Sequence, residues 1–124
     1  MSPREIALTA VLFAVFAAAA AFGLPEAMGA HPSWAVRSGV IGSAIGAPCL
    51  AGLRWAGLST RHSIALSGVC LTLTSLSAGL GKHAFAASFA EDVLAGRFWF
   101  LGWFGVAASL FVLVGVLLLD RVRR

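Results

Sequence analysis

The chain has 124 residues, 60% of them hydrophobic and 11% charged, with a formal net charge of +4. A soluble domain carries about 25% charged residues, so this inventory excludes an ordinary water-facing surface and points to an integral membrane protein in contact with a lipid bilayer. At this length there is room for one domain, residues 1–124. The basic excess then reports orientation and anionic headgroups, with no nucleic-acid partner expected.

The first span is expected over residues 6–24, an alanine-rich apolar run that covers the hydrocarbon core and stops at Gly23-Leu24-Pro25. A cleavable leader is the rival reading, since Ala27-Met28-Gly29 loosely fits a small-x-small site. The run is longer than a leader core, which favours a retained helix. A loop carrying Glu26, His31 and Pro32 follows.

The second span, residues 34–53, opens on Trp34, with Arg37 in its first turn able to snorkel toward headgroups. Gly39, Gly42 and Gly46 fall within about 60° of one another on a helical wheel, a small-residue face that admits a second backbone. Pro48 is expected to kink its last third. Cys49 and Cys70, on separate spans and without a CxxC, read as small buried hydrophobes and not as a disulfide.

After a polar turn containing Arg54, Arg61 and His62, the third span covers residues 64–80. Gly68, Thr72, Ser75 and Gly79 share one face of it, read as a helix–helix seam or, less economically, as the polar wall of a solute path. The segment 82–97 gathers Lys82, His83, Glu91, Asp92 and Arg97. Phe85, Phe89 and Val93 recur there at a spacing of four, which predicts a short amphipathic helix on the outer surface. The fourth span, residues 98–119, begins with an aromatic belt and carries a second small-residue stripe of Gly102, Gly105 and Ser109.

The fold expected is therefore an all-α integral membrane protein: four transmembrane helices in a bundle, with a short outer interfacial helix. Arg4, Arg54, Arg61, Arg121, Arg123 and Arg124 lie on one side, against Arg37, Lys82 and Arg97 on the other. The positive-inside rule puts both termini in the cytoplasm, of the inner membrane if the source is bacterial.

Glu26, His31, His83, Glu91 and Asp92 then form a candidate outer polar cluster, with His31 and His83 as weak candidates for a metal or a haem. No cofactor is expected to be essential, and no nucleophile pattern suggests catalysis. No ionisable side chain occupies the middle of any span, which argues against a carrier that works through midplane charge. The leading expectation is a small integral membrane subunit or accessory protein, acting through contacts with other membrane helices in a hetero-complex or homo-oligomer. The alternative is an oligomeric small-solute or ion channel or carrier, with Thr72 and Ser75 lining the transport path.

Overall fold

A computed structural model describes every residue from Met1 to Arg124. The chain is all-helical: α1 (Pro3–Ala21), a one-turn α2 (Leu24–Ala27), α3 (Ala35–Trp55), α4 (Thr60–Ala87) and α5 (Val93–Arg123). All but α2 are long and apolar enough to cross a membrane.

Local chemistry sets each boundary. Ser2 and Glu5 form a reciprocal capping box at the start of α1, with Ser2 N–H donating to the Glu5 carboxylate at 2.8 Å and Glu5 N–H donating to Ser2 Oγ at 3.2 Å. The helix ends before Pro25: Gly23, at φ +91°, turns the chain in a left-handed conformation, and Pro25 instead opens α2. Pro48 is accommodated within α3, which continues to Trp55. Ser59 caps α4 by accepting from His62 N–H at 3.3 Å.

The expected interfacial helix over 82–97 does not exist as a separate element. Lys82 to Ala87 complete α4, residues 88–92 form a tight turn, and Val93 to Arg97 begin α5. Two features explain the continuation. Gly81 sits where the two backbones cross, where a Cβ would lie 2.5 Å from Trp99 N, and one turn on, Phe85 packs against Gly96 and Trp99, so contact with α5 continues past Lys82. Asp92 then restarts the helix by accepting from Ala95 N–H at 3.0 Å. The turn closes with paired bonds from Phe89 N–H to Ala86 O and from Ala90 N–H to Phe85 O, the pattern of a Schellman cap. Glycine normally occupies its left-handed position. Here Phe89 (φ +56°) and Ala90 (φ +65°) adopt that conformation.

The packing is also less symmetrical than a closed bundle. α5 is the central post, packed on α4, α3 and α1, while α3 also packs on α1. α4 rests on α5 almost alone. The apolar core, with Leu12, Leu50, Phe111, Val116 and Leu119 at its heart, joins α1, α3 and α5. Phe16 meets Phe111 edge-to-face, with ring centroids 5.2 Å apart.

At the end where both termini lie, Glu5 of α1 forms a buried ion pair with Arg54 of α3 and a second bond to Arg123 Nε of α5 at 3.3 Å. One carboxylate thus fastens three helices. Arg54 Nε is buried without an acceptor, so the pair has little reserve. Glu5→Gln is expected to lower unfolding stability in detergent by about 3–5 kcal/mol, because the partner cation remains buried without a counter-charge. Phe89→Gly is expected to raise it by about 1 kcal/mol by relieving the left-handed strain. Equilibrium unfolding of both variants, followed by circular dichroism, checks the two signs.

Candidate functional site

Small residues, not charges, determine how closely the helices approach. A Cβ at Gly39 would lie 2.5 Å from the Ala20 methyl group, and one at Gly42 would lie 2.6 Å from the Ala107 methyl group. At Gly46 it would meet Ala108 O and Phe111 Cβ at 2.9 Å. Gly102 faces the backbone of Ala78, where an added Cβ would be 2.6 Å from its nitrogen, and Gly105 abuts Thr74. Ser109 accompanies them, bonding Gly105 O and facing Thr74 Oγ1 at 3.4 Å. These positions all lie at interhelical seams.

Gly68, Thr72, Ser75 and Gly79 do not. Gly68 and Gly79 have nothing within 4 Å of an added Cβ, and Thr72 and Ser75 are exposed. The face of α4 that meets α5 is instead marked by Ser63, Ser67, Thr74, Ala78, Gly81 and Phe85, about 120° round the helix. Ser77 adds a hydroxyl bond across that seam to Phe98 O at 3.2 Å. Both faces carry small and hydroxyl-bearing residues, so residue type alone could not tell them apart. Gly81, Gly96 and Gly115 also sit at close approaches. Gly81 could have been found by carrying the helical spacing of Thr74 and Ala78 on by three residues, just short of Lys82.

Because α4 leans only on α5, a crevice of about 470 Å³ opens between α3 and α4, with Gly105, Ala108 and Ser109 of α5 among its lining residues. Cys49 and Cys70 line it too, together with Ser67 and Thr74. Both thiols are free and exposed rather than buried as the sequence suggests. The hydroxyls are already engaged. Ser67 Oγ donates to Ser63 O at 2.7 Å, and Thr74 Oγ1 donates to Cys70 O at 2.7 Å.

The outer polar residues do not assemble. Nowhere do three His, Cys, Asp or Glu side chains come together as a metal-holding group. Glu26, His31, His83, Glu91 and Asp92 are all exposed, and Asp92 is occupied as the α5 cap. His31 bonds Ser33 Oγ at 2.8 Å and joins an aromatic cluster, 6.2 Å from Trp34 and 5.7 Å from Trp99 between centroids. Trp99 is the hub of that cluster. Its indole N–H donates to Gly29 O at 3.2 Å, Phe85 lies beside it, and Lys82 Nζ sits 5.8 Å over its ring. This arrangement ties the loop after α2 to the α4–α5 hairpin.

No protein family, curated protein or solved structure matches the chain.

The feature left without an internal role is therefore the outward stripe of α4. The contrast between its two faces is testable by single methyl groups. Gly102→Ala is expected to cost about 1–3 kcal/mol, since a backbone must move to admit it. Gly79→Ala is expected to cost nothing and to stabilise by up to about 1 kcal/mol, since it gains helix propensity with nothing to displace. Unfolding in a micelle that keeps the protein monomeric measures both.

Proposed function

We propose that the protein is a small integral membrane subunit that works through lateral helix contacts, with the outward face of α4 as its docking surface and a second copy of the chain as the occupant. The observation that carries this is the open stripe of Gly68, Thr72, Ser75 and Gly79, with no neighbour over either glycine. Between apolar helices in lipid there is no hydrophobic drive to associate. Association comes from close van der Waals approach and interhelical hydrogen bonds, which small residues permit.

The stripe is uncharged and runs for three turns, so it offers nothing to select a charged partner. Two such stripes related by a two-fold axis bury each other, with each residue meeting its counterpart on the mate. Thr72 Oγ1 already donates its proton to Gly68 O at 2.9 Å, so its oxygen is left to accept from a hydroxyl across the axis. Leu76, well exposed, lies beside Thr72 on the helical wheel and would border the contact on one side. The orientation proposed has both termini on the cytoplasmic side, following the six arginines at that end.

In lipid vesicles, donor- and acceptor-labelled copies are expected to show energy transfer that falls as lipid is added. Gly68→Leu with Gly79→Leu should weaken the association by about tenfold or more while leaving helix content unchanged, since both positions face open space. A parent chain that stays monomeric at all protein-to-lipid ratios would overturn the self-association reading. A stable one-to-one complex with a different membrane protein would assign the same face to a hetero-complex.

A further inference from the structure

At the terminal end, the groove between α4 and α5 has a character that the dimer face lacks. It encloses about 940 Å³, with a rim formed by Ser59, Thr60, Arg61, Asp120, Arg121 and Arg124. Below the rim its wall is wholly apolar: Ile64, Val114, Leu117 and Leu118. We propose that this groove binds the phosphate headgroup of an anionic glycerophospholipid, with an acyl chain lying along the apolar wall.

The charge distribution supports this. The six arginines at this end are not equivalent. Arg54 and Arg123 are committed to Glu5, and Arg124 bonds Asp120 at 3.1 Å. Arg61 and Arg121 have no carboxylate within 4 Å. The three rim arginines outweigh the one rim carboxylate, Asp120, which also accepts a bond from Thr60 Oγ1 at 3.1 Å.

That Thr60–Asp120 bond holds the start of α4 against the last turns of α5 and fixes the spacing of the groove. Ser59 and Thr60 place the positive end of a 28-residue helix at the same rim. Guanidinium groups match phosphate oxygens in fork geometry. Cationic pockets between membrane helices are known to suit such headgroups. The apolar wall decides the source of the phosphate. A soluble phosphate would have no use for four aliphatic side chains beneath it, whereas a lipid places its glycerol and acyl chain there.

This inference rests on the chain being inserted in a bilayer, as the proposed function requires, so the test measures insertion separately. The full-length protein is reconstituted in vesicles of phosphatidylcholine alone and checked for resistance to alkaline extraction. It is then exchanged into mild detergent and titrated with phosphatidylglycerol or phosphatidylcholine while native mass spectra are recorded.

A single phosphatidylglycerol adduct is expected, favoured over phosphatidylcholine. Arg61→Gln with Arg121→Gln should weaken it roughly thirtyfold at low salt. Millimolar inorganic phosphate should not displace it. Equal retention of both lipids, or an unchanged preference in the double variant, overturns the lipid site while insertion stands. Displacement by inorganic phosphate overturns the lipid source in favour of a soluble anion. Release of the protein by alkaline extraction overturns the membrane reading itself, and the lipid site with it.

Discussion

The structure depends above all on how closely other helices can approach α5. Gly102 and Gly105 let α4 sit against one side of it, and Gly42 and Gly46 of α3 meet its other side. At each contact a single added carbon would collide with a neighbouring backbone or side chain. Glycine in a helix interior is normally a cost of about 1 kcal/mol relative to alanine. In the bilayer proposed for this chain, closer dispersion contact offsets that cost, because lipid tails supply no competing hydrophobic force.

The two ends of the assembly are secured by different chemistry. At the terminal end, buried Glu5 draws Arg54 and Arg123 together and links three helices through one charge. At the other end no charge is buried. Trp99 collects His31, Trp34, Phe85 and Lys82 around its ring and holds the loop through Gly29. An aromatic hub of this kind suits an interface, where one edge is apolar and the other wet. The ionic end suits a place where the desolvation of one carboxylate is repaid by two cations.

Much of this architecture was legible in the residues. The four long helices follow from apolar length, and the Gly39–Gly42–Gly46 and Gly102–Gly105–Ser109 stripes sit at contacts because no larger residue interrupts them. Three features were not legible. Lys82 and His83 look like the end of a span, yet α4 passes through them, because Phe85 beyond them still packs on Gly96 and Trp99 of α5. Glu5 looks like an ordinary solvated carboxylate until α3 and α5 bring arginines to it, a contact 49 and 118 residues away in sequence. Gly68, Thr72, Ser75 and Gly79 resemble the true seam in every local respect, and only the direction in which α4 leans separates them.

That last ambiguity has a physical meaning. A helix with a single small-residue face needs one neighbour, and α4 has such a face against α5. It carries a second face of the same chemistry, with equal periodicity and no occupant. Were the outer stripe merely lipid-facing, leucine or isoleucine there would serve better, filling space beside acyl chains and avoiding the conformational cost of two glycines. The second copy proposed to dock on this face would give both glycines a neighbour. The asymmetry of α4, tightly matched on one side and open on the other, is the feature on which the proposed self-association rests.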